Sequence, residues 1–277
     1  MHYIGIDIGS TAAKVYVQGE GAVRQFSMPT GWSSRETARL IEQRLRDEGI
    51  DAADKTHVRV ASTGYGRQAV EYADDVITEI TCHGRGGSRL AGGDCTVIDV
   101  GGQDTKIICM ESGAVADFLM NDKCAAGTGK FIEVMANRLN VELDELFSLA
   151  STGTVLSISS LCTVFAESEV INLIGAGNRR EDIAAGIVDS VAAKVAGMCA
   201  KRTVAQRVIL TGGLAQNDFF VETLGRKIQR TILRHPDARY AGAIGAILTA
   251  QRRGERGGDH EASHVSGRSP AALQTVL

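Results

Sequence analysis

Two short stretches of this chain place a carboxylate and a glycine in the same arrangement. Ile6-Asp7-Ile8-Gly9-Ser10-Thr11-Ala12-Ala13-Lys14-Val15 and Ile98-Asp99-Val100-Gly101-Gly102-Gln103-Asp104-Thr105-Lys106-Ile107 both read apolar, Asp, apolar, Gly, four residues, Lys, apolar. An Asp at a strand end followed by Gly brings backbone N–H groups up to a bound anion with no Cβ in the way. Ser10, Thr11 and Gln103 add hydroxyl and amide groups suited to phosphate oxygens. The aspartates can hold a hydrated Mg2+, which takes one or two carboxylates together with phosphates and water. Either copy alone is as well explained by an ordinary hairpin with a glycine turn; the duplication is what points to phosphate binding. A third glycine signal, Val208-Ile209-Leu210-Thr211-Gly212-Gly213-Leu214-Ala215-Gln216-Asn217, reads as a buried strand, a Gly-Gly turn and a helix start. Such a turn lets the backbone approach a flat ligand such as a purine.

The elements that must position these residues follow from the same pattern. Each copy is followed by a glycine turn, Glu20-Gly21 and Ser112-Gly113, and re-enters a strand near Val23 and Val115. Each is therefore expected to form two or three antiparallel strands. Periodicity predicts further strands near 57–62, 76–80, 95–100, 104–110 and 206–210. It predicts helices at 34–48 (Leu40, Ile41 and Leu45 on one face), 128–139, 163–175, 181–201, 215–229 and 240–252. The order of two Asp-x-Gly hairpins and a late Gly-Gly turn resembles the phosphate loops and adenosine loop of the actin, sugar-kinase and heat-shock-chaperone ATPase superfamily. That resemblance implies an α/β fold of two domains with duplicated βββαβα-type units. The first domain would hold residues 1–92 and take back the final helix, 239–252; the second would hold 93–238. The polar, glycine-rich tail over 253–277 is expected to lack fixed structure.

Two of the six cysteines stand out. In Asn121-Asp122-Lys123-Cys124-Ala125-Ala126-Gly127-Thr128-Gly129-Lys130-Phe131 and in Ser159-Ser160-Leu161-Cys162-Thr163-Val164-Phe165-Ala166-Glu167-Ser168-Glu169-Val170, small residues lead into a cysteine at the start of an expected helix. A helix N-terminus offers unpaired N–H groups and partial positive charge, which favour a thiolate. Two cysteines cannot complete a cubane cluster, which needs four thiolates; a twofold dimer supplies four. The same residues are also explained as two unrelated helix-cap cysteines. Cys82, Cys95, Cys109 and Cys199 read as buried thiols. The pair Cys82-His83 reads as polar residues at a helix start in preference to metal ligands.

These two segments resemble the signature of the activators of 2-hydroxyacyl-CoA dehydratases, a family that also includes ATPase subunits of benzoyl-CoA reductase. Ser62-Thr63-Gly64-Tyr65-Gly66-Arg67, Cys82-His83, Asp99–Asp104 and Tyr240-Ala241-Gly242-Ala243-Ile244-Gly245-Ala246 share in it. The resemblance implies a homodimer with one [4Fe-4S] cluster held by Cys124 and Cys162 of both copies. It implies ATP-driven transfer of single electrons from a ferredoxin or flavodoxin to a partner 2-hydroxyacyl-CoA dehydratase component. It further implies Asp7, Asp99, Gln103 and Asp104 as catalytic residues acting on ATP with Mg2+. Gly9, Ser10, Thr11, Lys14, Gly101, Gly102, Gly127, Thr128, Gly212, Gly213 and Gln216 would hold the nucleotide, ATP or ADP. Lowering the potential of one electron by about 300 mV costs about 7 kcal/mol, at ~59 mV per tenfold, so hydrolysis would have to be coupled to movement at the cysteines.

The complete Gly-Gly-Gln-Asp loop and both cysteine segments favour the activator type over a benzoyl-CoA reductase subunit, which His235-Pro236-Asp237-Ala238-Arg239-Tyr240 resembles more. A small-molecule kinase or a chaperone-like ATPase shares the fold but leaves the paired cysteines unexplained. The net charge of −3 over 277 residues gives no sign of nucleic acid or an anionic membrane surface as partner. No apolar run reaches the length of a membrane span. The opening Met1-His2-Tyr3-Ile4-Gly5-Ile6-Asp7 lacks a basic region and reads as a first strand, so the expected location is the cytoplasm.

Overall fold

The computed structural model of the chain describes residues 1–265 apart from 20, 160 and 161, with side chains as far as Arg253. Each Asp-x-Gly copy becomes the centre of a five-stranded sheet. In the first, β1 (His2–Ile8), β2 (Ala12–Gln18) and β3 (Val23–Pro29) form an antiparallel meander, and β4 (Val58–Thr63) and β5 (Asp75–Val76) add in parallel, in the order β3-β2-β1-β4-β5. In the second, β6 (Thr96–Val100), β7 (Thr105–Glu111), β8 (Ala114–Asn121), β9 (Val208–Gly212) and β10 (Ile232–Leu233) repeat that plan in the order β10-β9-β6-β7-β8. The central strands β1 and β6 are apolar on both faces because helices cover both, so they read as continuous hydrophobic runs. β2 carries a single buried face, Ala13, Val15 and Val17, and alternates.

The helices are α1 (Ser34–Asp47), α2 (Glu79–Ala91), α3 (Gly129–Leu139), α4 (Leu143–Thr152), α5 (Thr163–Gly175), α6 (Arg180–Cys199), α7 (Asp218–Ile228) and α8 (Ala241–Val265). α1 begins where Ser33 accepts a hydrogen bond from the Glu36 N–H, and it buries Ala38, Ile41 and Leu45. Leu40, expected on that face, points to solvent. On the second sheet, Ile98, Ile107 and Leu210 pack against Phe131, Ile132 and Met135 of α3, the buried stripe of α6, and Phe220 and Leu224 of α7. The periodicity missed α4. It also missed α2, assigning a strand to 76–80 where β5 stops at Val76.

Three glycines inside α2 hide it: each costs about 1 kcal/mol of helix propensity relative to Ala. Packing reverses that cost. α2 and α8 meet so closely that a Cβ on Gly86 would lie 1.8 Å from the Ala241 carbonyl oxygen, and one on Gly245 would lie 1.8 Å from that of Cys82. α8 also lies against β1 and β4, so this helix pair joins the first sheet to α2, which packs on β6, β7 and β8 of the second. Gly245→Ala is accordingly expected to destabilise the fold by at least the roughly 1–3 kcal/mol of an overpacked core. Gly197→Ala, in α6 with open space around it, is expected to stabilise by up to about 1 kcal/mol. Urea unfolding of the two variants checks this; equal midpoints would show that the α2–α8 contact is loose.

α8 is described as far as Val265, within the stretch expected as a tail over 253–277; residues 266–277 lie outside the described residues. No helix among the described residues is long and apolar enough to cross a membrane.

Candidate nucleotide cleft and cysteine pair

The hairpin register sets the chemistry. In both sheets the antiparallel pairing puts Asp opposite Lys: Asp7 faces Lys14, and Asp99 faces Lys106. Directly paired residues share a face, so each carboxylate gains a cation at the strand end. Both turns close with the same hydrogen bond, Gly9 N–H to the Ala12 carbonyl at 3.1 Å and Gly101 N–H to the Asp104 carbonyl at 2.9 Å. The two turns abut, since a Cβ on Gly102 would lie 2.1 Å from Thr11 Oγ1. Between the sheets lies a cleft of about 420 Å³.

Asp7, Gly9, Ser10, Thr11 and Lys14 line this cleft from one side; Asp99, Gly101, Gly102, Asp104, Gly212 and Gly213 line it from the other. Gly212 is held at φ +87, and a Cβ there would lie 2.2 Å from the Val100 carbonyl oxygen, so the turn after β9 admits only glycine without strain. Four expected residues stand outside the lining. Gln103 is exposed, and Gln216 donates to the Pro236 carbonyl at 2.9 Å, bracing the segment that carries Arg239 into the cleft. Gly127 and Thr128 build the turn beneath: Thr105 Oγ1 donates to the Gly127 carbonyl at 2.6 Å and Thr128 Oγ1 to that of Ala125 at 2.7 Å.

Sequence reasoning missed the basic groups that hold the aspartates. Lys106, present in the repeat as a spacing residue, reaches Asp104 at 2.7 Å, Asp99 at 3.3 Å and Glu79 at 3.3 Å. His83 lies in the second turn of α2, not at its start. Its Nδ1 is 3.2 Å from Asp99 Oδ1 and its Nε2 is 3.7 Å from Asp7 Oδ2. The spacing of Glu79 and His83, four residues apart on one helix face, is the signal that could have found them. Burial raises the Asp99 carboxyl's pKa, but His83 and Lys106 beside it and the Thr211 hydroxyl, donating at 2.8 Å, hold it well below the usual range. Burial alone would lower His83 and Lys106; the adjacent Asp99 charge outweighs it and raises both.

The cysteines divide into two groups. Cys82, Cys95, Cys109 and Cys199 are buried, and burial pushes their thiols up, to about 12 for Cys82 and Cys199 and about 11 for Cys95. Cys124 and Cys162 are partly exposed. Cys162 is the N-cap residue of α5; Ser160 and Leu161 of its lead-in lie outside the described residues. Cys124 is not at a helix start, because α3 begins five residues later, after the Thr128 N-cap. Asn121 holds its loop by donating to the Cys124 carbonyl at 2.8 Å and the Ala126 carbonyl at 3.1 Å. The first two N–H groups of α3 are spent on the second phosphate-loop candidate, Gly129 N to Gly101 O at 2.9 Å and Lys130 N to Gly102 O at 2.8 Å. The far end of α3 meets α5 through the Arg138–Glu167 ion pair.

The sequence profile of the BadF/BadG/BcrA/BcrD ATPase family matches residues 4–250. The chain belongs to this family. Within the BadF/BadG/BcrA/BcrD ATPases it is 40% identical over 257 residues to the (R)-2-hydroxyglutaryl-CoA dehydratase activating ATPase of Acidaminococcus fermentans, covering 91% of this chain and 98% of that one. The crystal structure of that protein superimposes with a TM-score of 0.83, over 90% of this chain and 97% of the other. The activator of 2-hydroxyisocaproyl-CoA dehydratase from Clostridium difficile, solved with bound ADPNP, gives a TM-score of 0.81 at 36% identity, over 98% and 100% of the two chains. A ROK family glucokinase from Streptomyces griseus, at 15% identity, covers 91% of this chain and 100% of its own with a TM-score of 0.56, which shows a fold shared by the family and sugar kinases.

Proposed function

We propose that this chain is an ATP-dependent activator of a 2-hydroxyacyl-CoA dehydratase, working as a homodimer that passes single electrons from a ferredoxin or flavodoxin to that enzyme. The observation that carries the reading is that Cys162, one of two partly exposed cysteines, caps a helix with exposed apolar side chains, and that this helix is tied through α3 to the nucleotide cleft. α5 buries only Ala166 and Val170 among its residues, while Val164, Phe165, Ile171 and Ile174 stand 65%, 67%, 50% and 43% exposed. Val164, Ile171 and Ile174 share one side of the helix, with Phe165 beside it, and large apolar side chains exposed together in this way suit an interaction site. A second copy meeting it about a twofold axis would bring Cys162 of both protomers near one another, and the proposed cluster needs Cys124 of both beside them. Cys124 and Cys162 of two protomers would supply the four thiolates that a [4Fe-4S] cluster needs. The cluster, when bound, supplies the one-electron redox chemistry.

In the cleft, the residues fit MgATP. Asp7 and Asp99 offer the two carboxylates that a hydrated Mg2+ uses, and Lys14 and the backbone of Gly9–Thr11 and Gly101–Gly102 face the space for phosphates. The Gly212-Gly213 turn lines the cleft with open space beside Gly213, where the base would lie. The two sheets with their helices act as the two domains, 1–92 with the final helix and 93–238. A change in the cleft is passed from Gly101 and Gly102 to α3, and from α3 through Arg138–Glu167 to α5 and Cys162. The whole works in the cytoplasm.

Anaerobic purification tests the reading: about four irons per dimer, ATP hydrolysis, and ATP-dependent activation of a dehydratase by a reduced donor are expected. A colourless protein that phosphorylates a small molecule would overturn it. Phe165→Glu places a charge in the proposed interface and is expected to give a monomer in anaerobic sedimentation, with iron lost and nucleotide binding kept. A Phe165→Glu dimer of full iron content would move the interface elsewhere.

A further inference from the structure

We infer that His83 is the positioning residue that ties the two phosphate loops together and fixes the distance between their aspartates. The inference rests on the ATP reading of the cleft and concerns a residue that neither loop contains. Four elements converge at its imidazole: β1 through Asp7, β6 through Asp99, α2 through His83 itself, and α8 through Gly242. Among the described residues, it is the side chain that meets both aspartates.

Its setting is built, not incidental. Asp7, His83 and Asp99 are all buried, at 2%, 7% and 2% exposure. His83 Nδ1 is enclosed with no well-directed hydrogen bond, although Asp99 Oδ1 is 3.2 Å away. A buried polar atom left this way costs free energy, so the position is held by its surroundings. Those surroundings are the tight α2–α8 pair. A Cβ on Gly242 would lie 2.6 Å from Asp7 Oδ2 and 2.9 Å from His83 Nε2. Glycine there leaves the space in which the carboxylate and the imidazole meet. Each loop has its own lysine, and neither lysine spans the gap: Lys14 serves Asp7 at 3.8 Å, and Lys106 serves Asp99, Asp104 and Glu79. Among the described residues, the imidazole is the side chain that links the two aspartates across the floor of the cleft, carried on the helix that packs against both α8 and the second sheet. It therefore holds the loops in one mutual placement when the nucleotide arrives. A misplacement of about 1 Å can cost about 10²-fold in rate, which is the scale its loss should show.

The test uses the whole protein, purified anaerobically, with MgATP turnover and binding of a non-hydrolysable ATP analogue measured for the wild type, His83→Ala, His83→Gln and Gly242→Ala. Cys82→Ser, the neighbouring buried residue on α2, controls for general damage to the helix. His83→Ala is expected to lower kcat about 10²-fold while analogue affinity stays within about threefold, the signature of an interaction needed for the reaction and not for binding. His83→Gln, whose amide reaches toward both carboxylates, should recover at least a tenth of wild-type kcat. Gly242→Ala, whose Cβ would push between the Asp7 carboxylate and the imidazole, should mimic His83→Ala with the histidine still in the sequence. Cys82→Ser should keep wild-type kcat in the folded fraction. If His83→Ala does not fold, His83→Gln and Gly242→Ala carry the same kcat-against-KM comparison. Wild-type kcat in folded His83→Ala, or in both other variants, would overturn the role. A wild-type protein that neither binds the analogue nor hydrolyses ATP would instead sink the ATP reading beneath it.

Discussion

Cys162→Ser is expected to remove iron from the protein while leaving its nucleotide cleft intact. The substitution takes one thiolate from each protomer, hence two of the four that a cubane site needs. Cys162 lies at the start of α5, and no residue of α5 is among those that line the cleft. Serine is also a good N-cap residue, so α5 should keep its start. Cys124→Ser should behave alike, because Asn121 and the Thr105–Gly127 contact also hold that loop. The expected result is iron and sulfide reduced to a small fraction of wild type, analogue affinity within about threefold, and no activation of a dehydratase. Cys95→Ser and Cys199→Ser are the controls. Both thiols are fully enclosed in apolar surroundings, so their replacement costs stability through a buried hydroxyl but should leave iron unchanged in the folded protein. Four irons per dimer retained in either Cys124→Ser or Cys162→Ser would show that the ligands lie elsewhere.

The parts of this molecule that were legible in its sequence are those where local pattern and global role agree. The Asp-x-Gly copies told of two hairpins because the glycine, the spacing and the apolar flanks all belong to one short stretch, and the structure places them at the centre of matching sheets. α5 and α6 were readable from periodicity and length. What escaped was decided by contacts distant in sequence. α2 was hidden because Gly84, Gly86 and Gly87 speak against a helix locally, and only α8, some 150 residues on, explains them. With the helix start set at Cys82-His83 and the glycines read as breakers, Glu79 and His83 were not set on one face pointing at Asp99 and Lys106. Gln103 and Gln216 went the other way: both sit in loops whose neighbours line the cleft, and only the chain's turn decides that Gln103 faces solvent and Gln216 braces Pro236. Cys124 followed the same logic, since a run of small residues marks a tight loop as readily as a helix start.

Asp99→Asn is expected to be the most damaging isosteric change in the protein, and more so than Asp7→Asn. The two positions are equivalent in the repeat but not in their surroundings. Asp99 is flanked by His83 at 3.2 Å and Lys106 at 3.3 Å, and accepts from Thr211 at 2.8 Å. Asp7 has its cations at 3.7 and 3.8 Å. Breaking a buried ion pair by removing one partner costs about 3–5 kcal/mol, because the other charge stays behind without compensation. Asn at 99 would leave His83 with Asp7 alone and Lys106 with the more exposed Asp104 and Glu79. The acid limb of stability should change with it. Asp99 is held below its ordinary value, so its contribution is present above the unfolded carboxylate value of about 3.9 and is lost as pH falls below that; the variant should show a shallower loss there. Urea unfolding at neutral and acid pH measures both effects, and MgATP turnover in the folded fraction should be lost in both variants. The double variant Asp99→Asn/Lys106→Met removes the stranded cation as well, so it should recover part of the stability without recovering turnover. If the two changes instead add, Lys106 is already satisfied by Asp104 and Glu79, and the cost of Asp99→Asn belongs to His83.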